Sequence, residues 1–264
     1  MHLTLKEPNK MSYISLRLNS LISAVKKAGN TLTRDFNEIE QLQTSVRGHA
    51  EFTKAAIERV TKILRTELQK NNPDYSFVGG KTKLSDGQCF VINALDGSVN
   101  FMHGIPNFAV SVAIIDNKQV LASVIYNPAT SDLYFAEKGS GAFKEGYRNH
   151  ERLRVSGRKE LKNALIGAQD TSLGVENAGT RCSGCLSLDF AMLASGKLDA
   201  IISKGNAIES FAGGLLLVKE AGGYIYEYDQ SDIRTDNQQA ILQSGNIIAG
   251  NAEIAPKLFK ALHQ

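Results

Sequence analysis

The stretch Asn93-Ala94-Leu95-Asp96-Gly97-Ser98-Val99-Asn100-Phe101 follows a short apolar run, residues 89–95, and reads as a strand that ends in a turn. An acid at a strand end, followed by glycine and a hydroxyl residue, lets backbone amides face an anion while the carboxylate holds a cation. The same pattern also arises when Asp96 only caps the turn or helix behind it. Downstream, residues 108–116, 119–126 and 132–143 read as strands. Turn residues stand at Asn117-Lys118, Asn127-Pro128 and Gly139-Ser140, which predicts an antiparallel meander. Upstream, Ile14, Leu18, Leu21, Val25, Ala28 and Leu32 recur at steps of four and three, one amphipathic helix from Ser12. A second helix spans 51–68, with Phe52, Ile57, Val60, Leu64 and Leu68 inward.

The second half alternates strands at 164–168, 200–203, 224–228 and 246–249 with helices at 184–195, 211–221 and from Ala252. That alternation predicts an α/β half (151–264) behind a helix-pair-plus-sheet half (1–150), the two forming one compact unit. The 264 residues are 42% hydrophobic, enough for a sizeable core and too apolar for disorder. With 30 Lys+Arg against 27 Asp+Glu, no electrostatic case exists for nucleic acid or an anionic membrane. No apolar run reaches the ~18 residues of a spanning helix, and a cytoplasmic protein is expected. Three cysteines fit a reducing compartment. The Cys182-Ser183-Gly184-Cys185 pair opens a helix and lacks the further ligands of a closed zinc site, so it reads as two small buried or half-buried thiols.

Several ordered motifs resemble the inositol monophosphatase family, in particular its bacterial extragenic suppressor branch. NALDGSVNF is similar to the family's DPxDGTxNF, and FVGGKT at 77–82 to its GEES segment. GIPNFAVSVA (104–113), YNPATSDLYFAEKGSGAF (126–143) and ERLRVS (151–156) follow in family order. RCSGCLSLDFAMLASGKLDA (181–200) resembles RxxGSAALDLxxVAxGxxD, ESFAGGLLLVKEAGG (209–223) resembles WDxAAGxxLVxEAGG, and NIIAGN (246–251) matches the closing strand. The resemblance implies a layered αβαβα sandwich of mixed α/β (α+β) class, a homodimer, and Mg2+-dependent hydrolysis of inositol monophosphates and similar phosphomonoesters.

Mg2+ requires hard oxygen ligands, mainly carboxylates. The family supplies them from the first Glu of GEES, both acids of DPxDGT and the Asp of WD, with a further Asp helping to activate water. Carried over, these positions fall on Gly80, Asn93, Asp96, Ser210 and Ile57, and the glutamate that holds the inositol ring falls on Ser203. Asp96 alone survives, with Ser98 in place of the family Thr. The remaining metal oxygens would be the Leu95 backbone carbonyl, the Asn93 carbonyl and, with a one-residue shift of register, Glu209. Lys81 replaces the second GEES glutamate. It is either a solvated loop residue or the cation of a phosphate site built with the Gly97 and Ser98 amides, which would hold a small phosphorylated ligand. Three functions follow: a catalytically impaired member retained for binding or structural reasons, a weak or altered Mg2+-dependent phosphomonoesterase, and a partner of the RNA-synthesis machinery. The last lacks a basic stripe for direct nucleic-acid contact.

Overall fold

The computed structural model describes residues 14–39, 46–79, 84, 87–230 and 238–264. Two long helices, α1 (Leu16–Ile39) and α2 (Val46–Asn71), open the chain. The first starts later than expected because the Ser15 hydroxyl accepts the Leu18 N–H at 3.1 Å, a side-chain cap. It runs on past Leu32 because Ile39 is still fully buried.

The first sheet has seven strands in sequence order: β1 (Ser76–Val78), β2 (Gln88–Asp96), β3 (Ala109–Asp116), β4 (Gln119–Asn127), β5 (Asp132–Glu137), β6 (Gly141–Lys144) and β7 (Glu151–Arg152). All neighbours are antiparallel except β1 and β2, which are parallel. The expected strand at 132–143 is the hairpin β5–β6, turning at Gly139-Ser140. A short helix, α3 (Ser98–Met102), links β2 to β3.

The second sheet contains β8 (Leu165–Ala168), β9 (Gly179–Arg181), β10 (Ala200–Ser203), β11 (Tyr224–Glu227) and β12 (Ile247–Gly250), in the order β11-β12-β10-β8-β9. Helices α4 (Leu186–Ala194), α5 (Ile208–Glu220), α6 (Gln238–Ser244) and α7 (Ile254–Leu262) complete the described chain. The sequence reading missed β1, α3, β7, β9 and α6, which are short and lack enough residues to show a period.

Three apolar clusters define five layers. Val25, Ala28, Leu64 and Leu68 of α1 and α2 pack on Phe90, Val112, Val124 and Phe135 of the first sheet. Phe190, Leu193, Leu215 and Leu217 of α4 and α5 fill the space between Val91, Ala113 and Ile125 on one side and Ile201, Ile225 and Ala249 on the other. Ile254, Leu258 and Phe259 of α7 cover the outer face of the second sheet against Ile166, Ile202 and Ile248. Strand β3 is apolar at nearly every position because both faces of its sheet are covered. Every residue from Phe211 to Val218 is buried, as expected of a helix apolar all round and enclosed between two sheets. A Cβ on Gly214 would lie 2.3 Å from the Phe190 ring, so glycine is what lets α5 lie directly against α4.

Candidate functional site

The site is built where β2 ends against the first turns of α4 and α5. In a regular strand, residues three apart point to opposite faces. Here Asn93 faces Ser111 and Asp96 faces Ala109 on β3, so three steps on one strand match two on the other. That bulge places Asn93 and Asp96 on the same face, toward α4 and α5. Gly97 then takes a left-handed turn, φ 76°, into α3. A Cβ there would lie 2.8 Å from the Asn107 carbonyl, which makes glycine necessary twice over.

The Asp96 carboxylate accepts the Ser187 N–H at 2.7 Å and the Cys185 thiol at 3.5 Å, and the Gly97 N–H also donates to it. Ser187 is the second residue of α4, whose own cap residue, Cys185, supplies no side-chain bond. The surviving acid therefore caps α4 from another element. Burial pushes the Asp96 carboxyl up, and these hydrogen bonds oppose the push. Burial, with Asp96 beside it, drives the Cys185 thiol well above its ordinary range. Cys185 is thus an inert buried thiol, while Cys182 is exposed on the preceding loop. Ser98 is the first residue of α3.

The other positions carried over from the family are occupied as follows. The Asn93 carbonyl oxygen accepts the Leu95 N–H at 3.3 Å, and its amide nitrogen donates to the Ser210 hydroxyl at 3.5 Å. The two positions onto which the resemblance carries metal carboxylates are thus joined to each other by a neutral hydrogen bond. Leu95 is buried within the bulge. Ser203 is fully buried and accepts the Asn206 amide at 2.7 Å, closing the loop after β10. Ile57 is partly buried at the edge of the α1–α2 core. Helix α5 begins at Ile208, three residues earlier than expected, so both Glu209 and Ser210 stand in its first turn. Ser210 lines the cleft beside Asp96 and Glu209 does not, since one residue along a helix is a turn of about 100°. Gly80 and Lys81 lie outside the described residues.

That cleft has a volume of about 310 Å³ and is lined by Asp96, Gln169, Asp189, Asn206 and Ser210 among others. A neighbouring, more apolar cleft of about 400 Å³ shares Cys182 and Asp189 with it. The sequence reading missed Gln169, Asp189 and Asn206. It also missed Asn100, which donates to the Asn107 and Ser183 carbonyls at 2.7 and 2.8 Å and ties α3 to the loop before α4. No periodicity marks such residues; the Asp in the LDF segment was the one visible signal.

Asp189 is buried, and desolvation raises its pKa to about 7, with a hydrogen bond from Ser183 opposing and the Asp96 charge adding. The folded protein therefore holds this proton where the unfolded chain has released it. Its ionisation costs stability progressively as pH rises from about 4 to about 7, and the cost is constant above that. Asp189→Asn is expected to gain stability over the unmodified chain as pH rises through this window, reaching a few kcal/mol at pH 8. Urea unfolding at pH 5 and pH 8 measures it, and an equal difference at both values would show that Asp189 titrates normally.

Mg2+ demands near-octahedral oxygen ligands, and the residues present do not fit a pair of such ions. Of the positions carried over as metal carboxylates only Asp96 is an acid, and one of its oxygens already accepts from α4; the other acid of the cleft, Asp189, accepts from Ser183 and is held toward its neutral form by burial. The facing pair, Asn93 and Ser210, is neutral. Among the described residues no three His, Cys, Asp or Glu side chains converge as a metal site.

Two sheets and three helical layers, with a cleft where a strand end meets two helix N-termini, define the class of layered inositol monophosphatase folds. The chain belongs to the inositol monophosphatase family, whose sequence profile matches residues 16–264. It is 38% identical to the inositol-1-monophosphatase of Rhizobium meliloti over 95% of this chain and 97% of that one. It is 30% identical to the Nus factor SuhB of Xylella fastidiosa, covering 91% and 92%. The crystal structure of extragenic suppressor protein suhB from Bartonella henselae superposes with a TM-score of 0.81 at 32% identity, covering 95% of this chain and all of that one. The family uses Mg2+ and includes phosphatases. No helix among the described residues is long and apolar enough to cross a membrane.

Proposed function

We propose that this chain is a family member that binds a small ligand at the Asp96 cleft without hydrolysing phosphomonoesters. The observation that carries the reading is the Asn93–Ser210 hydrogen bond, which puts a neutral pair where the family's chemistry needs two facing carboxylates. Two cations held close together require charge to offset their repulsion, and Asp96 with a second acid, Asp189, that burial holds toward its neutral form supplies too little. The capping of α4 supports the reading from the other side, because it gives Asp96 a structural reason to persist without catalysis. As in the family, a homodimer is the proposed form.

The assay is release of phosphate from inositol 1-phosphate with Mg2+ or Mn2+. The expected rate equals that of Asp96→Asn, both at background. Metal-dependent turnover that disappears in Asp96→Asn would overturn the proposal in favour of a weak phosphomonoesterase. A second reading, a partner of the RNA-synthesis machinery, draws on the 30% and 31% identities to two proteins named Nus factor SuhB. It is compatible with the first, since neither requires turnover.

A further inference from the structure

The Cys182-Ser183-Gly184-Cys185 segment is not the shielded pair of thiols expected from its sequence. Cys185 is buried, whereas Cys182 is free and exposed, an uncommon place for this residue type. Cys185 is equally out of place as the cap residue of α4, because its side chain makes no cap bond and Asp96 binds the Ser187 N–H in its stead. Capping accounts for neither cysteine, and packing for Cys185 alone.

The local geometry brings the two together. The chain bends at Gly184, whose φ of 76° lies in the left-handed region, so the backbone between the cysteines turns rather than extends. The Ser183 hydroxyl accepts the Cys185 N–H at 3.2 Å across this bend. Cys182 and Cys185 both border the Asp96 cleft, and Cys182 also borders the neighbouring one. One thiol faces solvent, and a second, shielded from solvent, borders the same space. That is the arrangement of a redox-active cysteine with its resolving partner.

We infer that Cys182 and Cys185 form a reversible disulfide by exchange with a small-molecule disulfide, and that this link latches the wall between the two clefts. Burial sets the order of the steps, since a dissolved disulfide reaches only Cys182. The Cys182 sulfur attacks one sulfur of the reagent, whose S–S bond breaks. A mixed disulfide forms, and the first half of the reagent leaves as a thiol carrying the Cys182 proton. The Cys185 sulfur then attacks the Cys182 sulfur, and the second half leaves as a thiol carrying the Cys185 proton. Two protein thiols are oxidised and one reagent disulfide is reduced to two thiols. The link removes the thiol that donates to Asp96 at 3.5 Å. It also restrains Ser183, whose carbonyl accepts from Asn100 at 2.8 Å and from Asn107 at 3.0 Å, so it acts on the loop that ties α3 to α4. The inference holds whether or not the cleft hydrolyses phosphomonoesters.

The test incubates the reduced full chain with oxidised glutathione at pH 8, alkylates it first folded and then unfolded, and maps tryptic peptides by mass spectrometry. Before oxidation, alkylation of the folded chain is expected at Cys182 alone among the three cysteines. After it, the peptide 182–197 should be two hydrogens lighter and carry no label, Cys89 should still be labelled on unfolding, and dithiothreitol should restore the starting pattern. Cys185→Ser should stop at a glutathione adduct on Cys182, and Cys182→Ser should acquire neither adduct nor link. Amide exchange across 182–187 should slow at least about threefold in the linked form. A lasting adduct on Cys182 of the unmodified chain, no reaction at Cys182, or a link to Cys89 or to a second chain would overturn the inference. A linked chain with unchanged exchange would overturn the latch. The unmodified chain decides both points, so a variant that fails to fold does not shield the inference.

Discussion

Asn93→Asp combined with Ser210→Asp and Gly80→Glu is expected to create Mg2+-dependent phosphatase activity at least about 10³-fold above the unmodified chain, because groups that act as a unit are recovered together or not at all. The structure supplies the reason for expecting a gain. The bulge in β2 already turns position 93 toward the same face as Asp96, and the Asn93 amide already reaches the Ser210 hydroxyl. Carboxylates at both positions would therefore face each other beside a third, Asp96. Like charges so placed repel in the absence of cation, so the triple variant should also be less stable than the parent in chelator and recover on adding Mn2+. Calorimetric Mn2+ binding and phosphate release from inositol 1-phosphate measure the two effects. Each single substitution should give neither. A triple variant that folds, binds Mn2+ and still releases no phosphate would overturn the expectation.

The largest loss of stability from a single substitution is expected at Asp199. This carboxylate is almost fully buried and accepts from the Leu165 N–H at 2.8 Å, from Arg158 Nε at 3.0 Å and from the Ser156 hydroxyl. Asn251 reinforces the knot by donating to the Ser156 and Arg158 carbonyls. The connection between the two sheets is thereby pinned to β8, β10 and β12. Asp199→Ala leaves the part-buried Leu165 amide and Ser156 hydroxyl without their acceptor and should cost about 2–4 kcal/mol. At roughly 2–4 °C per kcal/mol for a chain of this size, the melting temperature should fall by about 10 °C. Thermal unfolding followed by circular dichroism checks it, and a fall of only a degree or two would mean that water replaces the carboxylate.

How much was legible in the sequence differs from element to element. The long helices and the meander were readable because each repeats its apolar period over many residues. The α5 segment was readable as a helix, but its start was not. Ile208, Glu209 and Ser210 join the first turn without a side-chain cap to announce them, and this decides that Ser210 rather than Glu209 reaches the cleft. Strands of two or three residues, such as β7 and β9, are formed by their neighbours' hydrogen bonds and carry no pattern of their own. The reading of 93, 210 and 57 as positions without their carboxylates rests on resemblance alone. What the fold makes of these and the other carried-over positions was not legible: a neutral bond between Asn93 and Ser210, an apolar margin at Ile57, and an internal loop closure at Ser203.

The sequence by itself determined the layered fold and the family, because apolar periodicity and ordered motifs are local properties of the chain. By resemblance it also suggested that Asp96 stands without acidic companions at the carried-over positions. The tertiary structure alone decided what Asp96 does in their absence. A one-residue bulge turns it toward α4, whose second amide it caps, and folding brings Asp189 of α4, Gln169 of the loop after β8 and Asn206 of the loop after β10 into the same cleft. Those partners are 73 to 110 positions away along the chain, and only packing of the two sheets around α4 and α5 places them within reach of one another.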